Sequence, residues 1–322
     1  MCYTYVTMEP KEYMPGLGIV LAIAFFSFCL SVLHASFDAL VISIIIGMFY
    51  GNLTGRRAWY EKGVETAIGL FLPLGIAFYG SQLIVKGMHM STLFSVFLVF
   101  SSLFGLTLLA SRFFNIEKKT AILLASGLAV CGATAIAIIS PLIDAKREDT
   151  SIAIISVVML GLTGMIFYPM IHDIFSLSTE EFGFLAGTTL PMLGQVKVAA
   201  GNVSPECMMH AVEVKLVRVS FLFFLISTAV ILSGTKGAKI RVPWFVILFV
   251  IFAIVVNVTD ILSPVAEYLG FASSFFLSAA LAAIGFSVDF EAIMEKGIAP
   301  LAAIFSSWGM TILILYLARA VL

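Results

Sequence analysis

Charge is what this chain has least of. Asp, Glu, Lys and Arg make up 11% of its 322 residues, against 61% hydrophobic ones, whereas a soluble globular domain carries about 25% charged residues. With a mean hydropathy of +1.10, the composition excludes an ordinary soluble domain and predicts an integral membrane protein, with the lipid bilayer as its first partner. The net charge is −1 and no basic stripe occurs, so nucleic acid is excluded as a partner. Four cysteines (Cys2, Cys29, Cys131, Cys207) lack any C-x-x-C spacing, which argues against a disulfide framework or a zinc site; no metal and no cofactor is expected. H-E-x-x-H, G-x-S-x-G, P-loop and G-x-G-x-x-G patterns are missing too, which leaves no motif for an enzyme. The opening "MCYTYVTMEPKEYMP" has no basic region leading into an apolar run, so it does not read as a cleaved signal peptide.

Long hydrophobic runs are what the chain has instead. A crossing needs ~20 mostly apolar residues, and such runs fall at about 16–33, 37–54, 66–85, 91–111, 151–171, 209–233, 242–261, 271–288 and 297–319. These predict nine full spans. Two further segments, 119–143 and 180–203, are long enough to cross but rich in Gly, Ala, Thr and Pro, and they are expected to be broken or re-entrant helices. The fold class is then an all-α polytopic membrane protein of 11 helical segments, one transporter domain over 1–322. Lys and Arg in short loops mark the cytoplasmic side: Arg56, Arg57 and Lys62; Arg112, Lys118 and Lys119; Lys236, Lys239 and Arg241. The N-terminus is then cytoplasmic. Re-entry of the two odd segments suits the charge bias better than crossing, although the rule alone does not separate a hairpin from a discontinuous crossing.

An internal repeat is expected at an offset of 205 residues. "GNLTG" (51–55) falls on "VNVTD" (256–260), Gly80 falls on Gly285, and "FSSLF" (100–104) falls on "FSSWG" (305–309). Segments 37–112 and 242–317 are so paired, and the loop charges give the copies opposite orientations.

The odd segments hold the candidate site. In "SGLAVCGATA", Gly127, Gly132 and Ala133 allow close backbone approach, and Ser126 and Thr134 supply hydroxyls. A helix restarting near Cys131 aims free N–H groups and the positive dipole end into the membrane, which suits an anion. The alternative is a packed interface of small residues that binds nothing. In "GTTLPMLGQVKVAAG", Thr188, Thr189, Gln195 and Lys197 surround Pro191, which favours a helix break. Polar groups at such depth are costly, and their default reading is functional. Beyond it, Lys215 and Arg218 lie three apart and share one helix face, while Glu213 points elsewhere. They either border the cavity, where high salt should screen them, or anchor a solvated helix end. "SPLIDAKRED" reads as a solvated loop.

"CGATAIAIISPLIDAKREDTSIAIISVVMLGLTGMIFYPMI" resembles the Cys-Gly-Ala-Ser/Thr-Ala-Ile-Ala segment and the following elements of the YeiH-like family of bacterial inner-membrane proteins, which carries a sulfate-exporter label. "LGIAFYGSQLIVKGM", "QVKVAAGNVSPE", "VKLVRV" and "LAAIGFSVDFEAI" are similar to its other signatures in the same order. The resemblance implies a bacterial inner (plasma) membrane location, inverted repeats and a midplane site on broken helices. Where members carry a His-Glu or His-Asp pair, this chain has Pro191 and Met192, so no proton-coupling role is carried over there. The expectation is a secondary transporter of a small anion, sulfate or an organic sulfonate, working by alternating access, with an anion channel or a non-transporting receptor as the other class. Coupling to Na⁺ or H⁺ and assembly as a homodimer stay open.

Overall fold

The computed structural model describes residues 10–33, 39–55, 58–83, 90–233, 244–259, 261–262, 264–286, 288 and 298–319. Among them all regular structure is helical: α1 (Pro10–Leu33), α2 (Ala39–Thr54), α3 (Ala58–Tyr79) with a 3-10 turn at Gly80–Gln82, α4 (Met90–Phe113), α5 (Lys118–Ala129), α6 (Ala133–Leu142), α7 (Arg147–Phe175), α8 (Thr179–Thr189), α9 (Leu193–Gly201), α10 (Pro205–Ser220), α11 (Leu222–Ser233), α12 (Trp244–Val258), α13 (Ala266–Phe286) and α14 (Ala299–Arg319). Six stretches are long and apolar enough to cross a bilayer: Tyr13–Ser31, Trp59–Gln82, Met90–Phe113, Glu148–Phe175, Ala266–Phe286 and Ala299–Ala318. The bent pair α10 and α11, turned by 45°, makes a seventh.

Against the nine expected spans, the described residues therefore hold six such stretches, or seven if the bent pair is one span. The runs at 37–54 and 242–261 appear as α2 and α12, of 16 and 15 residues. At 1.5 Å per residue these reach about 22–24 Å, less than the ~30 Å hydrocarbon core. At the Asn-x-Thr end of each run, side chains turn back onto carbonyls one turn earlier: Asn52 Nδ2 on Met48 and Thr54 Oγ1 on Tyr50, Asn257 Nδ2 on Ala253 and Thr259 Oγ1 on Val255.

The helices pack as two groups. One holds α1, α2, α3, α12 and α13; the other holds α4 to α11 with α14; they meet where α2 touches α9 and α13 touches α6. Within the first group, positions 205 apart make equivalent contacts. Asn52 Nδ2 donates to the Val288 carbonyl at 3.0 Å, and Asn257 Nδ2 to the Leu83 carbonyl at 2.6 Å. A Cβ on Gly80 would lie 2.2 Å from the Phe249 carbonyl oxygen, and one on Gly285 would lie 2.6 Å from that of Ile44. Each glycine therefore lets a neighbouring helix backbone pass. Because the two Asn bonds are equivalent, Asn52→Leu and Asn257→Leu are expected to destabilise the purified protein by similar amounts, about 1 kcal/mol each. A thermal-unfolding series in detergent checks this, and a large inequality would separate the two environments.

The two odd segments both fold back on themselves. Lys119 Nζ, at the start of α5, donates to the carbonyl of Asp144, beyond the end of α6, and a Cβ on Gly127 would meet Ile136 Cδ1 at 2.7 Å. α5 and α6 thus lie antiparallel, with Val130–Gly132 as the hairpin tip. At the other end of α7, α8 runs alongside α10, with Gly183 facing Cys207 and His210, and Gly187 facing Ala211 and Val214. α9 returns against α10, so Leu190–Met192 is the tip of a second hairpin. A box at the start of α8, where Ser178 Oγ accepts from Glu181 N and Ser178 N donates to Glu181 Oε2, caps the polar entrance of that hairpin. Of the residues used for orientation, Arg56, Arg57, Lys236, Lys239 and Arg241 lie outside the described residues.

Candidate functional site

The tips of the two hairpins meet beside the middle of α7. A Cβ on Gly132 would lie 2.7 Å from Met192 Cγ, 3.5 Å from Val157 Cγ1 and 3.6 Å from the Pro191 carbonyl carbon. Gly132 has φ +68° and ψ −132°, a left-handed conformation that a side chain disfavours. Here glycine supplies both the turn and the close approach.

A helix that stops inside the protein leaves its last carbonyls without partners. α5 and α8 both stop here, and α10 supplies the donors. Lys215 Nζ donates to the carbonyls of Val130, Leu190 and Pro191, each at 2.7 Å. Three acceptors at that distance suit an ammonium, which has three protons to donate. Arg218, one turn further along, donates through Nε to Ala129 at 2.6 Å, through Nη1 to Leu190 at 2.9 Å and through Nη2 to Leu128. Both side chains are fully buried. Glu213 is exposed on another face, so the three-residue spacing selected the inward pair.

The positive ends of α6 and α9 start at the same tips, at Ala133 and Leu193. Met192 N is held by Gln195 Oε1 at 3.0 Å. Four helix ends contribute about half a charge each with alternating sign, so their sum is close to zero and about two positive charges remain from Lys215 and Arg218. Among the described residues no carboxylate reaches either cation; their charged or titratable neighbours are each other, Cys131 and Tyr168. Between the hairpins and the first helix group lies a cavity of about 50 Å³, lined by Cys131, Thr134, Met192, Leu193 and Lys215 on one side.

The site candidates divide on this geometry. Cys131, Thr134 and Lys215 line the cavity, while Gly132 and Ala133 form its hairpin tip. Gly127 serves α5–α6 packing. Thr188 and Thr189 turn their hydroxyls back to carbonyls of their own helix, Phe184 and Leu185, and Thr189 also bonds the Tyr168 hydroxyl. Ser126 Oγ and Gln195 Nε2 are buried without a hydrogen-bond partner in the structure, outside the cavity lining. Lys197 is half-buried on α9, also outside that lining.

Two residues escaped the sequence reading. Asp149, taken as part of a solvated loop, is fully buried and accepts from Thr120 Oγ1 at 2.9 Å. It stands in the first turn of α7, a position that carboxylates favour, and that was the available signal. Tyr168 is fully buried, stacked on Trp308 with ring centroids 5.4 Å apart, and ties α7 to the second hairpin through Thr189.

Helices, hairpins and buried cations together define a polytopic helical membrane protein. The chain belongs to the family described as Conserved hypothetical protein 698, whose model matches residues 15–304. It is 31% identical over 331 aligned positions to the UPF0324 inner membrane protein YeiH of Escherichia coli K12, covering 95% of each chain. It is 30% identical over 291 positions to a UPF0324 membrane protein of Archaeoglobus fulgidus (88% and 86% covered), and 29% identical over 315 to UPF0324 membrane protein SACOL0411 of Staphylococcus aureus (92% and 93%). No solved structure matches significantly.

Proposed function

We propose that the protein is a secondary transporter of a small anion, with sulfate and organic sulfonates as the leading substrates, bound where the two hairpin tips meet. The observation that carries this reading is the pair of buried cations that no carboxylate of the described residues reaches. Their hydrogen bonds are spent on helix C-termini, but their charge is not cancelled there, and a bound anion would balance it. The amides of the first turns of α6 and α9 have no acceptor within their own helices and are the donors such an anion would meet.

Alternating access is supported by the two-group packing, with the cavity at their boundary. The re-entrant reading is supported by hairpins that enter from opposite ends of α7. Non-helical backbone at membrane depth is tolerated only under cover of protein or a cavity, and the carbonyl bonds of Lys215 and Arg218 supply that cover. The inverted repeat is supported by the paired bonds of Asn52 and Asn257 and the paired glycines Gly80 and Gly285. An inner-membrane location follows the name of the Escherichia coli relative. A channel is disfavoured by a cavity wall that is apolar on its far side.

The test is uptake of labelled sulfate and methanesulfonate into proteoliposomes under separate Na⁺ and proton gradients. Saturable uptake of either anion is expected, and the gradient that drives it identifies the coupling ion. No uptake of any anion under either gradient would overturn the reading.

A further inference from the structure

The wall facing the hairpin tips is of a different kind. Leu40 from α2, Ile76 and Tyr79 from α3, and Leu277 and Leu281 from α13 line it, and Val219 and Leu222 close the side. None of these carries a charge, and the Tyr79 hydroxyl is the one polar group the first helix group brings. Lys215, Thr134 and the starts of α6 and α9 border one side, together with Cys131, Met192 and Leu193; leucine and isoleucine side chains with the Tyr79 ring border the other. The cavity is thus amphipathic.

Its size restricts the occupant further. One water needs roughly 10–15 Å³ of such space, so about 50 Å³ holds on the order of three to five heavy atoms. An inorganic dianion of that size spreads its charge over every face. Seated here, it would press charged oxygens against leucine and isoleucine without hydrogen bonds, which is the costly arrangement for a buried ion. A monoanion with one oxyanion head and a short alkyl group sets each half against a matching wall.

Resting on the anion-transport reading, we propose that the preferred substrate is a small organic monoanion of at most about five heavy atoms, a one-carbon alkyl sulfonate or a two-carbon carboxylate, in preference to sulfate. The head sits against Thr134 and the starts of α6 and α9, in the field of Lys215, whose three protons stay on the hairpin carbonyls. The alkyl group sits against Leu277 and Leu281.

The experiment measures ligand-dependent thermal stabilisation of the purified full-length protein at constant ionic strength, with methanesulfonate, acetate, sulfate and chloride as probes. Methanesulfonate or acetate should bind at least about tenfold more tightly than sulfate, from burial of the alkyl group together with the lower desolvation cost of one charge. Whichever of the two leads fixes the head group. Affinity along the series from methane- to butanesulfonate should be highest at methanesulfonate and fall as the chain outgrows the cavity. Leu281→Asn should narrow the preference over sulfate, while Thr134→Ala should weaken both probes alike. Should Leu281→Asn fail to fold, the chain-length series on the wild type decides alone. Sulfate binding as tightly as methanesulfonate and acetate, or a flat chain-length series, would overturn this inference and leave the anion reading standing. Absence of stabilisation by every anion would overturn both.

Discussion

Gly132→Val is expected to abolish anion uptake while the protein still inserts into the membrane. Two costs combine at this position. The backbone sits at φ +68°, and a non-glycine residue held in such a region costs about 1–3 kcal/mol. A β-branched side chain must also enter space where the first carbon already lies 2.7 Å from Met192 Cγ. Met192 immediately precedes α9, and its amide is fixed by Gln195. Displacing it moves the second hairpin tip away from the first and opens the gap that Lys215 spans between Val130, Leu190 and Pro191. Gly132→Ala should retain part of the activity, because one methyl meets only the flexible methionine at close range. Gly105→Ala on α4, with nothing within 4 Å of the added carbon, is the control and should be neutral or slightly stabilising, since alanine is the better helix former. Uptake by proteoliposomes and the elution profile of the detergent-purified variants separate loss of function from loss of fold. Wild-type uptake by Gly132→Val would remove the hairpin tip from the site.

Several of these features could be read from the residues, and the reasons differ. Gly, Ala, Ser and Thr in place of Leu and Phe at 126–134 pointed to backbone rather than side-chain contact, and helix α5 stops at Ala129 and restarts as α6 at Ala133. Pro191 pointed to the second break, and α8 stops two residues before it. Periodicity put Lys215 and Arg218 on one face and Glu213 on another. Composition did not separate the short described helices α2 and α12 from full crossings, because hydropathy counts apolar residues and is blind to where a helix starts and stops. It was equally blind to Asp149, since a carboxylate in a charged run looks the same whether it faces solvent or is buried beside Thr120. The threonines before Pro191 looked like ligands by type, yet a threonine in a buried helix turns its hydroxyl to a carbonyl one turn back, as Thr188 and Thr189 do. The partners of Lys215 and Arg218 are main-chain carbonyls 24 to 90 residues away, and no side-chain pattern marks such acceptors.

Those carbonyl partners change what the two cations should do when removed. Spacing left two roles open for the pair, a salt-screened effect on anion affinity at the cavity or anchoring of a solvated helix end. Both are fully buried, and buried charges are screened far less than exposed ones, so the salt dependence should be small. Arg218 lies outside the cavity lining and holds three carbonyls at the ends of α5 and α8. Arg218→Gln has one amide group and a shorter reach, so it leaves at least one of these buried acceptors unpaired, at about 1–3 kcal/mol each. The expected result is a fall in stability on the order of 3–5 kcal/mol, seen as a lower thermal midpoint and reduced folded yield. Lys215→Met also orphans the carbonyls of Val130 and Pro191 and should lower the midpoint too, but Lys215 lines the cavity, so this variant should in addition reveal itself in binding. A unit charge at about 4 Å is worth up to ~4 kcal/mol at an effective dielectric constant of 20, and a loss of at least about tenfold in anion affinity is expected in whatever protein remains folded. Thermal midpoints and anion titrations of both variants, each at low and high salt, test the division. Arg218→Gln with an unchanged midpoint but lost binding would place Arg218 in the site and refute its role as a cap. Lys215→Met with wild-type affinity would mean that the charge at the hairpin crossing serves the main chain alone.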